Sequence, residues 1–552
     1  MSTAFPRIMI AAPSSGSGKT LITCGLLKAL ANRGLHPVSF KCGPDYIDPM
    51  FHRKALGIPA RNLDLFFTGE EIARALFAKG ASQADISLLE GVMGFYDGAG
   101  GVTAFASSYE VAKATDTPVI LLINARGMSL SILPLIQGFL EFRKDSGITG
   151  VILNQISPVS YGSMKEKIEE LLPVKVLGYV PKSPELALES RHLGLVMPGE
   201  VEGLQEKLQK LAELLEETLD IDGILKCAGE AKPLSVSEKE DQEKSRRLPA
   251  PEREIQREQG IRCAGNEDAD KVRIAVARDE AFCFCYEENL ELLEQMGAEL
   301  AFFSPLHDMQ LPSEIGGMIF YGGYPELFAE GLSGNGRMRS QIFFRLKNGM
   351  PYLAECGGFM YLQESMEDIE GRVWPMAGVC PGTARNTGKL GRFGYITLTA
   401  GEEGQLLPPG ETIRAHEFHY YDCTENGHSY HGKKPFGGRE WDCIRGGVNY
   451  AAGFPHLYYA SNPKFVQRFL DKCRAFRSQW MERNVPKPEN GQDVPKPENG
   501  QNVPKPENGQ DVPKSENGQN VPKPENGQDV PKSGNGQNVP KPESEHQVLK
   551  LG

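Results

Sequence analysis

The stretch Arg7-Ile-Met-Ile-Ala-Ala-Pro-Ser-Ser-Gly-Ser-Gly-Lys-Thr20 decides the fold class. Arg7–Ala12 reads as a short buried strand, and Lys19–Asn32 has the apolar spacing of a helix. Between them, glycines free the backbone to wrap an anion, and the helix N-terminus adds its dipole. Lys19 is placed to meet the β- and γ-phosphates of a nucleotide, and Thr20 to offer a hydroxyl to Mg²⁺. Ser15, Gly16, Ser17, Gly18, Lys19 and Thr20 are therefore the expected ATP-binding residues. Pro13 stands where the usual G-x-x-x-x-G-K-[ST] spacing has its first glycine. A plain Ser/Gly turn accounts for less, because strand, Gly-Lys-Thr and helix follow in the order the chemistry needs.

Outward from this loop the same alternation continues. Apolar runs at Pro37–Lys41, Asp85–Glu90, Pro118–Asn124, Gly150–Asn154 and Val174–Val180 are separated by helix-like Glu70–Lys79, Leu130–Arg143 and Met164–Leu172. Strands alternating with helices imply an α/β domain with a mainly parallel, doubly wound sheet. A second such series begins at Val272–Ala277. It continues through a helix near Glu287–Met296 and strands at Glu299–Phe303, Gly317–Tyr321 and Pro351–Glu355. The Gly- and aromatic-rich part from Val373 to Tyr459 is expected to add antiparallel strands. The expected organisation is a nucleotide domain at 1–228, a charged linker at 229–270, a second α/β domain at 271–480 and a low-complexity tail at 481–552.

Composition bounds the function. The 552 residues carry 60 Lys and Arg against 72 Asp and Glu, a formal charge of −12. A general nucleic-acid partner, which calls for a basic surface, is not expected. No apolar run reaches the ~18 residues of a membrane span, and Met1–Arg7 lacks signal-peptide character. Eleven Cys at irregular spacing, with no CxxC pair, fit reduced thiols in the cytoplasm rather than a disulfide framework. Oligomeric state is not set by the sequence. From Val485 a nine-residue unit, Val-Pro-Lys-Pro-Glu-Asn-Gly-Gln-Asp/Asn, recurs to the end of the tail, with one Val per unit to bury. A solvated, disordered tail follows. Deleting Val485–Gly552 is expected to leave product formation and melting temperature essentially unchanged; a marked fall in either would show that the repeat docks.

Acidic residues gather at expected strand ends. Lys41-Cys-Gly-Pro-Asp45-Tyr46-Ile-Asp48-Pro49 follows the second strand, and Glu90-Gly-Val-Met-Gly-Phe-Tyr-Asp97-Gly98 the third. Ligands of doubly wound sheets sit at these ends. Carboxylates beside a triphosphate serve as Mg²⁺ ligands or orient an acceptor, although Asp before Pro or Gly is also ordinary turn chemistry. The expected sorting puts Thr20, Asp45 and Glu90 on the metal and Tyr46, Asp48 and Asp97 on the acceptor; sequence alone does not fix the individual roles.

The second series contains Pro351-Tyr-Leu-Ala-Glu-Cys356-Gly357-Gly-Phe359, a strand, sharp turn and helix start. A Cys on such a turn projects its sulfur from the sheet, and a helix N-terminus favours the thiolate. Its base is to be found among His416, His419 and His456. Gly322 and Gly323, at the end of an apolar strand, and Gly357 beside the sulfur are the expected oxyanion site.

Together these motifs resemble the cobyrinic acid a,c-diamide synthase family, over about Arg7 to Tyr459. The resemblance rests on Gly43–Pro49, Glu90–Gly98, Glu189-Ser-Arg-His-Leu-Gly194, Gly322-Gly-Tyr-Pro-Glu326, Glu355–Gly358 and His416-Glu-Phe-His-Tyr420. It implies a dethiobiotin-synthetase-like P-loop domain followed by a class I glutamine amidotransferase domain. It also implies Cys356 as nucleophile and His456 as its base, with ATP, L-glutamine and cobyrinic acid as substrates and Mg²⁺ as cofactor. The implied reaction amidates the a and c acetates through an acyl phosphate, within cobalamin biosynthesis. Many class I glutaminases have Glu two residues after the His; Tyr458 stands there, so what orients His456 is open. Neighbouring readings are the same chemistry on nickel-sirohydrochlorin or hydrogenobyrinic acid, a cobyric acid synthase, and a partition-type ATPase switch carrying a degenerate glutaminase module.

Overall fold

The computed structural model describes residues 2–186, 190–191, 194–195, 203–235, 271–402 and 406–484. The tail from 485, most of the expected linker, and Glu189, His192 and Leu193 of the quoted Glu189–Gly194 motif lie outside the described residues.

The first sheet has seven parallel strands in the spatial order Ala60–Leu63, Pro37–Cys42, Ile86–Glu90, Arg7–Ala11, Val119–Asn124, Ile148–Asn154 and Lys175–Val180. Its central strands are mainly apolar and almost wholly buried, as a sheet covered on both faces requires. The phosphate loop leaves the central strand Arg7–Ala11 and runs into the helix Lys19–Asn32. Several elements escaped the sequence reading, among them the helices Ile47–Phe51, Leu204–Thr218 and Ile221–Gly229. The edge strand Ala60–Leu63 reads Ala-Arg-Asn-Leu and shows no apolar alternation. The helix Ser108–Ala114 is too short to display a period. The helical segment Leu65–Ala81 breaks at Gly69 (φ +72°, ψ 178°), so the helix expected at Glu70–Lys79 starts just past the break, and Asp64 caps the leading turn at the Phe67 N–H at 3.0 Å.

The helices Leu204–Thr218 and Ile221–Gly229 complete this domain. Leu211 and Leu215 press on the helix Lys19–Asn32 at Gly25, where a Cβ would lie 2.5 Å from Leu215 Cδ1. Past the expected boundary at 228, Leu234–Ser235 still pairs with Ser2–Thr3, Leu234 is buried, and the Lys232 carbonyl accepts from Arg7 at 2.6 Å.

In the second domain Ala298–Phe303, Val272–Ala277, Ile315–Phe320, Tyr352–Glu355 and Tyr450–Gly453 form a parallel sheet, and Arg445–Gly447 joins it antiparallel at the edge. The antiparallel strands expected late in the chain are present. Gly394–Ala400 pairs with Thr412–Glu417, which pairs with His456–Leu457 and so sets His416 opposite His456. Among the described residues no helix is long and apolar enough to cross a membrane.

The two domains share an aromatic core. Phe67 stacks on Tyr458 with ring centroids 4.6 Å apart, Phe66 lies 4.5 Å from Tyr395, and Tyr46 lies 5.0 Å from Phe284. Polar ties surround it: Tyr395 Oη donates to Asp64 Oδ2 at 2.6 Å, Tyr286 Oη to the Pro44 carbonyl at 2.9 Å, and Asn62 N–H to Glu288 at 2.8 Å. Buried aromatic pairs of this kind add roughly 0.5–1.5 kcal/mol each beyond their buried area, so the domains are held in one relative placement.

Candidate active site

Gly16 and Gly18 take φ of +72° and +94°, the left-handed values that let the phosphate loop turn around an anion. Lys19 Nζ donates to the carbonyls of Ser14, at 3.1 Å, and Met93, at 2.6 Å, so it bridges the loop to the turn after Glu90. Burial and the nearby Lys41 bring its pKa down to about 8. Thr20 Oγ1 lies 2.6 Å from Glu90 Oε1 and 3.3 Å from Asp48 Oδ2. Lys41 Nζ sits between the same two carboxylates, 2.5 Å from Asp48 and 2.8 Å from Glu90. On the other side of Gly18 opens a cavity of about 250 Å³ that includes Leu21, Arg126, Asn154 and Pro181. Asn154 Nδ2 donates to the Ser17 carbonyl at 2.8 Å and so fixes the loop to this wall.

Cys356 closes the strand Tyr352–Glu355 in a strained conformation, φ +47° and ψ −110°, with its N–H on the Gly453 carbonyl at 2.8 Å. The turn is tight because Gly358 crosses the neighbouring strand; a Cβ there would lie 2.3 Å from the Phe320 carbonyl oxygen. Gly322 lies against both partners. A Cβ on it would be 2.4 Å from His456 Cε1 and 3.3 Å from Cys356 Cβ, and one on Gly357 would be 3.0 Å from the Gly323 nitrogen. Gly322 thus packs on Cys356 and His456, while Gly357 packs on Gly323 and Pro325 and Gly323 on Ala281. His419 is turned away, with Nδ1 2.5 Å from the Tyr421 carbonyl and its ring stacked on Phe454 at 4.1 Å.

His456 Nδ1 is 3.8 Å from Glu355 Oε2, and Glu355 Oε1 accepts from Tyr459 Oη at 3.3 Å. Burial pushes Glu355 well above the usual carboxylate range and brings His456 down to about 3, so the imidazole is neutral at pH 7. The Cys356 thiol is also pushed up, chiefly by burial and then by Glu326, against the pull of the Gly357 N–H. This corrects the expectation of a helix-stabilised thiolate: the desolvation of a buried sulfur outweighs one short turn of helix. His456 Nε2 meets the other domain, 3.1 Å from Tyr46 Oη. Among the described residues Cys356 Sγ makes no hydrogen bond to His456.

A cavity of about 460 Å³ lies where the domains meet. Pro44–Ile47, Val92, Met93, Gly98–Gly101 and Ala106 bound it from the first domain, and Phe393–Tyr395, His416, Phe418 and Lys434–Phe436 from the second. It touches both chemistries. Met93 holds Lys19 through its carbonyl, and Tyr46 touches His456.

Two family models match the chain. Residues 8–196 match the CobQ/CobB/MinD/ParA nucleotide binding domain, and residues 273–458 the CobB/CobQ-like glutamine amidotransferase domain. A cobyrinate a,c-diamide synthase from Caldanaerobacter subterraneus subsp. tengcongensis is 40% identical over 85% of this chain and 98% of its own. One from Clostridium acetobutylicum is 39% identical over 84% and 99%. One from Salmonella typhimurium is 37% identical over 84% and 98%. The chain belongs to the cobyrinate a,c-diamide synthase family. Among solved structures, PurLQS from Thermotoga maritima is 16% identical over 38% of this chain and 99% of its own, with a TM-score of 0.25.

Within this family frame the geometry revises the sorting of the acidic residues. Asp48, expected on the acceptor, lies with Glu90 at the Thr20 hydroxyl. Asp45, expected on the metal, accepts from the Ile47 N–H at 2.9 Å, lies 3.9 Å from Lys41 Nζ through its other oxygen, and borders the cavity. Burial and the adjacent Asp48 raise Asp45 to about 7. Asp97, expected on the acceptor, braces its own turn by accepting from Gly94 N–H at 2.9 Å, and that turn packs on Pro13. Tyr46 borders the cavity as expected of an acceptor residue, but its hydroxyl is spent on His456.

The sequence reading missed Lys41, His52 and Glu355. Lys41 stood in the quoted motif, and only its burial between two carboxylates shows its place. His52 is buried with Nδ1 on Ser39 Oγ at 2.9 Å and Nε2 3.7 Å from Glu90; burial holds it near 4, hence neutral. Tyr458, at the position where a Glu would orient the imidazole, stacks on Phe67 across the junction.

Proposed function

We propose that the protein uses ATP and glutamine to amidate the a and c acetate carboxylates of cobyrinic acid, giving the a,c-diamide. The observation that carries this reading is a cavity of about 460 Å³ bounded by both domains, with Lys19 behind Met93 at one side and His456 behind Tyr46 at the other. The relatives' printed activity supplies the acceptor and the regiochemistry. A partition-type ATPase with a docking module leaves unexplained why the likeness to synthases runs through both domains.

Cys356 attacks the side-chain amide of glutamine, and His456 takes the thiol proton and delivers it to the departing nitrogen. Ammonia and a thioester result, and water converts the thioester to glutamate. The N–H groups of Gly322, Gly323 and Gly357 surround the place where the oxyanion forms. Glu355 orients the imidazole in place of a carboxylate at position 458. In the first domain the γ-phosphoryl group of ATP passes to an acetate carboxylate with ADP leaving, and Lys19 stabilises the charge in transfer. The Leu21–Asn154 cavity beside Gly18 takes the base. Ammonia then displaces phosphate from the acyl phosphate, leaving the amide. The closed aromatic junction keeps water from both reactive species.

The residues around Thr20 fit Mg²⁺. Their donors are hard oxygens, and the buried Glu90 Oε2 has no hydrogen-bond partner. Among the described residues no three acidic, His or Cys side chains are spaced to hold a metal alone, so nucleotide phosphates must complete the shell. Thr20, Asp48 and Glu90 would hold the ion, which neutralises phosphate charge when bound.

Tyr46 couples the halves. Whichever tautomer His456 adopts, Nε2 is occupied by the tyrosine hydroxyl and is not free to receive the thiol proton. Acceptor entering the cavity displaces Tyr46 and frees the base. A net hydrogen bond is worth about 0.5–1.5 kcal/mol, so Tyr46→Phe is expected to raise glutamine hydrolysis without acceptor by roughly two- to tenfold. Basal hydrolysis at or below the wild-type rate would contradict this coupling.

A further inference from the structure

We propose that the amidotransferase domain itself binds the acceptor: the wall made by Phe393, Tyr395, His416, Phe418, Lys434 and Phe436 receives the face of the macrocycle, and Lys434 pairs with a peripheral carboxylate that is not reacting. This rests on the acceptor being a polycarboxylate tetrapyrrole, as proposed above.

Three observations carry it. The first is shape: eight of the nineteen residues lining the cavity come from this domain, and none of the eight belongs to the Cys356 turn. A domain that only released ammonia would need no such surface. The second is the apolar surface left in water. Phe393 is 49% exposed and Phe436 38%, and across the opening Met93 is 39% and Phe105 41% exposed. The rings of Phe105 and Phe436 face each other at 6.3 Å. Large apolar side chains concentrated at a cavity mouth mark a ligand site, and flat rings suit a flat conjugated ligand. The third is charge. Lys434 Nζ donates to the Phe393 carbonyl and lies 5.5 Å from the Trp441 ring centroid, which fixes the ammonium at the wall. Among the described residues it forms no ion pair with a carboxylate. Burial brings it down to about 8, so it is still mainly protonated at pH 7. His416 adds a buried Nδ1 that has no partner among the described residues. A cation held in place with no carboxylate in contact, only Glu417 acting on it through space, and set beside exposed aromatic rings is complementary to an apolar ring system edged with carboxylates.

The test is steady-state amidation of cobyrinic acid by the full chain, at saturating glutamine and ATP, for wild type, Lys434→Glu and Lys434→Arg. The charge reversal is expected to raise the acceptor KM by at least roughly tenfold, with kcat held within about threefold, as loss of uniform binding requires. Lys434→Arg keeps the charge and is expected to restore KM to within about threefold of wild type. An unchanged acceptor KM in Lys434→Glu, while wild type amidates normally, would overturn this inference and leave the proposed function standing. A loss of kcat in Lys434→Glu that Lys434→Arg does not restore would also overturn it, as damage to the fold. A wild-type protein that leaves every tetrapyrrole unamidated would overturn both.

Discussion

Cys356→Ser is expected to lower glutamine-dependent amidation by at least about a thousandfold while sparing synthesis from free ammonia. The two activities separate because the sulfur lies in one domain and carboxylate activation in the other. Cys356 occupies a strained turn against Gly322 and Gly357, and His456 packs on the same Gly322. Serine preserves the packing of that turn but replaces a soft nucleophile with a hydroxyl of far higher pKa. Ammonium salt then supplies the nitrogen from solution, and the acyl phosphate forms as before. The measurement is product formation with each nitrogen source in a variant of unchanged melting temperature. Equal loss of both activities would contradict the division of labour.

Lys19→Ala is expected to lower amidation from either nitrogen source by roughly a hundred- to a thousandfold, the usual effect of removing one charge-stabilising donor from a transfer site. Its ammonium is anchored on the Ser14 and Met93 carbonyls, so the variant also loosens the loop from the turn after Glu90. Ammonia-driven amidation near the wild-type rate would remove the phosphate loop from the mechanism.

The parts of the molecule that could be read in the sequence are those whose chemistry is local. The strand, glycine loop and helix from Arg7 to Asn32 are contiguous, and so are the strand and turn at Cys356. The first sheet follows from runs of apolar residues, except at Ala60–Leu63, whose Arg61 and Asn62 hide the strand. The roles within the acidic cluster were not legible. Asp45 and Asp48 differ by less than one helical turn, and only the fold shows that Asp48 reaches Thr20 while Asp45 holds the Ile47 N–H and lies 3.9 Å from Lys41. Least legible was the junction. Tyr46 and His456 are 410 positions apart, and no periodicity or motif predicts that they touch. The same holds for Tyr458. Its departure from the usual Glu was visible in the sequence, but its reason, stacking on Phe67, needed both domains in place.

The most direct test of the central claim is a time course of product masses from cobyrinic acid incubated with the full chain, glutamine and ATP·Mg²⁺. The account predicts successive addition of two amides and then no more, with a monoamide appearing first, because one phosphate loop and one Cys356 turn must serve both acetates in turn. Addition of one amide only, addition of four, or action on nickel-sirohydrochlorin with none on cobyrinic acid would contradict it.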